Sequence, residues 1–180
     1  MEIEFLKQIS HFKIVKVPKY ITGKIQECAL NHLNLKDMGQ LRDRMEGQMY
    51  YNKLRNNILS EYAFENILFK TPFDWDKRMN KNYKRKPYFI EGFSINLITF
   101  KTNNYPKISL NHTNLCVLGV ATEDSKVYLS GIATKKLIKI NGVNIRDQIF
   151  ELRNFDQLIT FSTQQDLIIQ LKKNGVQQFV

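Results

Sequence analysis

The feature that most constrains the fold is a change in amino-acid composition and pattern close to Pro87. Before it, residues 40–69 contain no proline and are rich in Leu, Arg, Met, Gln and Glu, which favour helix. After it come short stretches of β-branched and aromatic residues divided by turn residues, a pattern typical of strands. These stretches are 88–91, 93–101, 114–122 and 126–132. Helices followed by strands predict an α/β (α+β) fold, with a central mixed β-sheet flanked by helices.

Weaker patterns complete the expected architecture. Residues 12–17 alternate as a short strand would, and residues 24–35 carry apolar side chains at helical spacing, with Gly23 as a plausible start. We expect Gly47 to divide the long helix and the four strands to form a meander. For the tail, the sequence predicts a turn at Asn141-Gly142, an amphipathic helix at 145–152 and a final apolar segment at 167–171. A length of 180 residues predicts a single domain, 1–180, with its core at about 40–140.

Cysteine content and hydropathy bear on the compartment. Cys28 and Cys116 are the only cysteines, and they have neither metal-ligand spacing nor the density of a disulfide framework. Residues 1–10 lack the pattern of a signal peptide, and no apolar run approaches the roughly 20 residues of a membrane span. We therefore expect a cytoplasmic, soluble protein with no membrane partner.

The charge balance predicts a polyanionic partner. Lysine and arginine total 27 against 17 acidic residues, a formal charge of +10, which favours nucleic acid as the partner and leaves DNA versus RNA open. Compositional bias of an AT-rich gene is the alternative source of the lysines. The most basic window is residues 77–86, called the cationic segment below. Its candidate nucleic-acid-binding residues are Lys77, Arg78, Lys81, Tyr83, Lys84, Arg85 and Lys86. Tyr83 is a candidate for stacking on an exposed base.

Three sequence elements follow one another between residues 59 and 102. They are the helical Leu59-Ser60-Glu61-Tyr62-Ala63, then Glu91, then the strand Ile98-Thr99-Phe100-Lys101-Thr102. Over about residues 56–140 the chain resembles the PD-(D/E)xK nuclease superfamily, which has the restriction-endonuclease-like fold. In that family a helix glutamate precedes an acidic residue and a strand that ends in Glu-x-Lys. This chain departs from the pattern, because Glu91 replaces the usual Asp and Thr99 stands where the second carboxylate is expected.

The resemblance implies a Mg²⁺-dependent endonuclease that hydrolyses DNA phosphodiester bonds. Glu61 and Glu91 would hold the metal, with Glu61 replacing the carboxylate missing at Thr99, and Lys101 would orient water or neutralise the phosphate. A homodimer is expected on this interpretation, since each active site would cut one strand. The main alternative is an inactive nuclease-fold subunit that binds nucleic acid or serves in assembly, and a protein-interaction module is a third possibility.

Each candidate residue also has a purely structural interpretation. Glu61 and its neighbour Glu65 can pair with nearby cations, as most helical glutamates do. Lys101 can be an ordinary lysine at a strand end. Asp74 and Asp76 are more typical of turns and helix caps than of a metal site. The cationic segment can be a solvated loop.

Overall fold

The computed structural model describes residues 12–69 and 71–178, so the expectation for residues 1–10 lies outside the described residues. Six helices occur in the described part of the chain: α1 (Lys19–Leu33), α2 (Met38–Arg42), α3 (Met45–Leu68), α4 (Trp75–Met79), α5 (Lys135–Asn141) and α6 (Gln164–Lys173). The strands are β1 (Lys13–Lys16), β2 (Tyr88–Ile90), β3 (Phe93–Thr99), β4 (Lys107–Ser109), β5 (Leu115–Ala121), β6 (Lys126–Thr134), β7 (Gly142–Arg146) and β8 (Ile149–Leu152).

The central element is a mixed five-stranded sheet in the order β1-β6-β5-β3-β2. β3 and β5 run parallel, and the other neighbours are antiparallel. The predicted α/β class with a mixed sheet is therefore confirmed. The predicted meander is wrong, because the chain leaves the sheet after β3 and forms β4 in a second, three-stranded sheet of order β4-β8-β7 before it returns as β5.

The sheet separates two apolar clusters, and β5 shows how one strand serves both. Leu115 and Val117 belong to the cluster under the helices, whereas Cys116, Leu118 and Val120 belong to the cluster under the small sheet. Successive side chains of a strand point to opposite faces, so a central strand with both faces covered reads as a continuous apolar run. The protein thus has three layers: α1 and α3, the large sheet, and the small sheet with α5.

Helix α1 begins at Lys19, four residues before the predicted start at Gly23. Its buried side chains, Ile21, Ile25, Cys28 and Ala29, recur at three- and four-residue steps and form one face. The helix ends at Asn34, whose left-handed φ of 54° closes it.

The long helical stretch is divided at Asp43 and Arg44 rather than at Gly47, which is buried within α3. Helix α2 has its own N-cap, Asp37, whose side chain accepts a hydrogen bond from the Gln40 N–H at 3.0 Å. The break therefore follows a separately capped short helix.

The predicted helix at 145–152 is wrong, because this segment forms the hairpin of β7 and β8. Arg146 pairs with Ile149 across a two-residue turn, and Gln148 in that turn has a left-handed φ of 52°. The predicted turn at Asn141-Gly142 is instead the junction where α5 ends and β7 begins. No helix in the described residues has the length and apolar character needed to cross a membrane.

Candidate functional site

The cationic segment lies over α1 and α3 with its side chains divided between two sides. Arg78 is buried, and Tyr83 and Arg85 are partly buried. Four lysines point to solvent: Lys77, Lys81, Lys84 and Lys86. In the extended run from Tyr83 to Lys86 the inward and outward residues alternate, as they do in a strand.

Helix α4 carries the first residues of the cationic segment, and Asp74 caps its N-terminus. The Asp74 carboxylate accepts a hydrogen bond from the Lys77 N–H at 3.0 Å, which confirms the capping interpretation of this residue. The single turn that follows presents Lys77 to solvent and directs Arg78 inward, onto α3.

The inward residues meet Glu61, which is only 2% exposed. Its Oε2 accepts hydrogen bonds from Arg78 Nε at 3.0 Å and from the Tyr83 hydroxyl at 2.9 Å. Arg85 Nη1 lies 3.5 Å from Oε1 of the same carboxylate. Glu61 therefore has cationic or hydroxyl partners on both oxygens.

Glu65, one turn further along α3, completes the cluster. Its Oε1 accepts from Arg78 Nη2 and, at 2.9 Å, from the Tyr88 hydroxyl. Burial lowers the pKa of Arg78, but the charges of Glu65 and Glu61 raise it more, so the net change is upward. Burial, followed by the nearby carboxylates, raises the pKa of Tyr83 and Tyr88, so both hydroxyls stay protonated and donate. We call these residues the buried ion cluster: Glu61, Glu65, Arg78, Tyr83, Arg85 and Tyr88.

Glu91 lies in the turn between β2 and β3, apart from this cluster. Glu91 and Gly92 have positive φ values of 43° and 81°, which match the two-residue type I′ turn of a tight hairpin. The Glu91 side chain is 60% exposed, with Oε2 3.9 Å from Lys172 Nζ. Backbone geometry therefore explains Glu91 at this position, and among the described residues its carboxylate pairs only with Lys172, on the surface.

Lys101 lies beyond the opposite end of β3 from Glu91. The intervening strand has seven residues, which corresponds to roughly 20 Å at about 3.3 Å per residue. Thr99 faces α3 and donates a hydrogen bond to Asn57 Oδ1, one helical turn before Glu61. The structure thus does not bring Glu61, Glu91 and Lys101 together.

The donor set does not fit a Mg²⁺ site as arranged. Magnesium needs carboxylate oxygens that are open to the ion, but those of Glu61 are engaged by Arg78, Tyr83 and Arg85. Across residues 12–69 and 71–178, no three His, Cys, Asp or Glu side chains form a group that could hold a metal ion.

Sequence reasoning missed Tyr88, a member of the buried ion cluster, and Asn57, the partner of Thr99 on α3. Tyr88 was assigned only to a strand, and no spacing rule links it to Glu65, because that contact depends on how β2 packs against α3. The inward direction of Arg85 did have a signal, namely the alternation of Tyr and Arg with Lys between residues 83 and 86.

Comparison with known proteins returns no match among protein-family models, curated proteins or solved structures. The fold and site together define a mixed α/β protein with a buried ion cluster beneath an exposed row of lysines.

Proposed function

We propose that this chain is a non-catalytic nucleic-acid-binding protein, with DNA as the expected ligand. The observation that carries the proposal is the division of the cationic segment. Its arginines are fixed inward, whereas Lys77, Lys81, Lys84 and Lys86 point to solvent within ten residues. Lysines arranged in this way neutralise phosphates and release counterions from the nucleic acid.

The buried ion cluster supports this proposal by holding the lysines on an ordered support. Arg78 and Arg85 tie the segment to α3 through Glu61, and Lys81 Nζ contacts Asn34 Oδ1 at the end of α1. A fixed surface loses less conformational freedom on binding than a mobile loop does. The expected mode is contact with the phosphate backbone, which carries little sequence specificity.

Tyr83 contributes differently from the stacking role expected from the sequence. Its ring is partly buried, its hydroxyl is bonded to Glu61, and Lys77 Nζ lies 5.6 Å from its ring centre. We therefore assign Tyr83 to the support and not to base contact. Arg78 and Arg85 belong to the support for the same reason.

That this chain is related to the PD-(D/E)xK nucleases stays a hypothesis. The mixed five-stranded sheet with a long helix against it is compatible with a restriction-endonuclease-like fold. On that hypothesis, Thr99 stands at the position of a metal-binding carboxylate, and Glu61 forms ion pairs instead of holding a metal. This combination favours the binding subunit over the Mg²⁺-dependent endonuclease.

Binding is tested with a fluorescently labelled duplex titrated at several salt concentrations. Replacing Lys77, Lys81, Lys84 and Lys86 by Gln should reduce the magnitude of the slope of log K against log salt by about 3 to 4, at roughly 0.9 per phosphate contact. The matched control replaces four exposed lysines elsewhere and lowers the formal charge by the same amount: Lys107, Lys136, Lys139 and Lys173. Equal losses in both variants would contradict the proposal and favour a purely compositional charge effect.

Cleavage is tested separately with supercoiled plasmid and labelled single strands in Mg²⁺ or Mn²⁺. The proposal predicts no nicking by the wild-type protein. Metal-dependent nicking that is lost in Lys101→Ala, an exposed position whose replacement should leave folding intact, would overturn it in favour of the endonuclease. Glu61→Gln serves as the second variant in that experiment.

A further inference from the structure

The strand that follows the cationic segment carries a strongly exposed aromatic residue. Phe89 is the middle residue of β2 and is 73% exposed, more than any other aromatic side chain in the described part of the chain. β2 is an edge strand of the large sheet, and no described strand pairs with its second side. The ring is therefore open to a ligand.

The Phe89 ring points away from the helices. Tyr88 and Ile90 pack in the apolar cluster under the helices. Successive side chains of a strand point to opposite faces, so Phe89 projects from the other face of the sheet. Its direct cross-strand partner is Ser94, and the ring belongs to neither apolar cluster. Packing within the described residues therefore does not account for an aromatic side chain here.

Two outward lysines of the cationic segment precede this ring. Lys84 and Lys86 are exposed and point away from α3, as Phe89 does. Three residues of chain place the Cα atoms of Lys86 and Phe89 at most about 10 Å apart. A single exposed apolar residue is ordinary on its own, but this one lies beside positive charges. The surface thus combines cations for phosphates with an aromatic face for a base.

The ring distinguishes between forms of nucleic acid, which the lysines alone do not. In a duplex the flat faces of the bases are covered by their neighbours in the stack, and a protein on the backbone meets phosphate and sugar. In a single strand the faces of unstacked bases are accessible and stack on aromatic side chains, while cations follow the backbone. An exposed phenylalanine beside lysines therefore favours a single strand.

The same edge is poorly suited to an added peptide strand. β2 has only three residues, and Pro87 directly before it has no backbone N–H to donate. Short edge strands next to proline and lysine are features that prevent pairing with another chain. Base stacking, which uses the ring and not the backbone, is unaffected by them.

We infer that this surface binds single-stranded nucleic acid, with Lys84 and Lys86 on its phosphates and Phe89 stacked on one of its bases. The inference rests on the proposed function, because the same lysines hold the phosphates, and it specifies which form of nucleic acid is bound. Every base has a flat π face, so stacking on Phe89 tolerates any sequence.

Fluorescence anisotropy with labelled oligothymidylate and a duplex of the same length tests the inference. Phe89→Leu should weaken single-strand binding by about 5- to 100-fold, the effect of losing one stacked base. Duplex binding and the salt slope should stay as in wild type, because no phosphate contact is lost. An equal loss for both forms, or no loss for the single strand, would overturn the inference.

Two variants serve as controls for the loss of the ring. Phe89→Tyr keeps an aromatic face and should retain most of the affinity that Phe89→Leu loses. Tyr20→Leu removes the ring of a side chain that is 64% exposed on α1, and it should bind as wild type. Similar losses in Tyr20→Leu and Phe89→Leu would contradict the assignment of stacking to Phe89.

An oligomer with abasic sites identifies the contact itself. It keeps the phosphates and lacks the bases, so the wild-type protein should bind it more weakly than oligothymidylate. Phe89→Leu should lose little further affinity on the same change, because ring and base form one interaction. Losses that simply add would overturn the inference, since the ring and the bases would then act independently.

The lysine variant of the duplex titration separates this inference from the proposed function. If that variant loses binding while Phe89→Leu binds single strands as wild type does, charge alone carries binding and only the inference is overturned. If the wild-type protein binds neither form, both are overturned. A parallel titration with oligouridylate distinguishes RNA from DNA. A loss specific to Phe89→Leu with either oligomer supports the inference, and the tighter oligomer identifies the sugar.

Discussion

Replacement of Arg78 by Met tests the buried ion cluster most sharply. The Arg78 side chain is 2% exposed, and its guanidinium pairs with Glu61 and Glu65. Removing one partner of a buried ion pair leaves uncompensated charge and costs about 3–5 kcal/mol. For a chain of this length, that loss lowers Tm by about 6–20 °C. We expect Arg78→Met to show this loss in urea and thermal denaturation.

The neighbouring lysine provides the matched control. Lys77→Met changes the same charge on the same helix but at an exposed position, so stability should change by less than about 0.5 kcal/mol. Its nucleic-acid binding should weaken and its salt slope should fall, because an outward lysine is lost. Folded Arg78→Met keeps all four outward lysines, so it should keep the salt slope and lose affinity only through the looser support. Two similar stability losses would contradict the division into inward and outward residues.

A compensated variant identifies the cause of the Arg78 effect. Arg78→Met combined with Glu61→Gln and Glu65→Gln removes the two carboxylates along with the cation. Because the triple variant buries no unpaired carboxylate, and only Arg85, which is 21% exposed, loses its partner, this variant should be more stable than Arg78→Met alone. A triple variant no more stable than the single one, or a single variant within about 1 kcal/mol of wild type, would refute the reasoning.

Three further outcomes follow from local geometry. Gly119→Ala should destabilise the protein by about 1–3 kcal/mol in urea denaturation, because its Cβ would lie 2.8 Å from the Ser60 hydroxyl of α3. Gly23→Ala, whose Cβ would meet nothing within 4 Å, should instead stabilise the protein by about 0.5–1 kcal/mol through the higher helix propensity of alanine in α1. Burial raises the pKa of the Cys28 thiol to about 11 and that of Cys116 to about 12, so both thiols should react with a disulfide reagent only after unfolding; rapid labelling of the native protein at pH 8 would contradict this. Glu91→Asn should maintain or raise stability by a few tenths of a kcal/mol, because asparagine adopts positive φ readily, and it should leave nucleic-acid binding unchanged.

The large sheet was predictable from the sequence because its strands are set by local patterns. Gly92 and its neighbour mark the β2–β3 turn, and the residues between 122 and 126 mark the β5–β6 turn. The partner of each strand was less predictable. β4 has only three residues, Lys107–Ser109, and its place in the second sheet depends on pairing with β8, about forty residues further along the chain.

The error at 145–152 has a specific physical cause. Ile145, Ile149 and Leu152 are spaced four and three residues apart, as on a helix face, but they also occur in a segment of alternating apolar residues. Pairing of β7 with β8, and of β8 with β4, decides between the two patterns. A short apolar segment therefore takes its structure from its neighbours in space.

In the candidate site, too, local contacts could be predicted from the sequence, whereas contacts that depend on the tertiary fold could not. A helix cap at Asp74 depends only on the residues next to it in the sequence, because its carboxylate accepts from the Lys77 N–H three residues later. The structure confirms this prediction. The pairing of Glu61 with Arg78 links residues 17 positions apart and requires α4 to fold back onto α3. The sequence indicated that Glu61 could pair with a cation, but it did not indicate which one.

The chemistry of the two basic side chains explains why the cationic segment divides as it does. Arginine has a planar, weakly hydrated group with five donors, which suits a buried site with several acceptors, whereas the ammonium of lysine is strongly hydrated. Both arginines of the segment, Arg78 and Arg85, accordingly point inward, and all four lysines point outward. The segment therefore presents four positive charges to a polyanion and not six, because the two arginine charges are neutralised by Glu61 and Glu65. A salt dependence of binding that required all six cations would show that the arginines leave their carboxylates when nucleic acid binds.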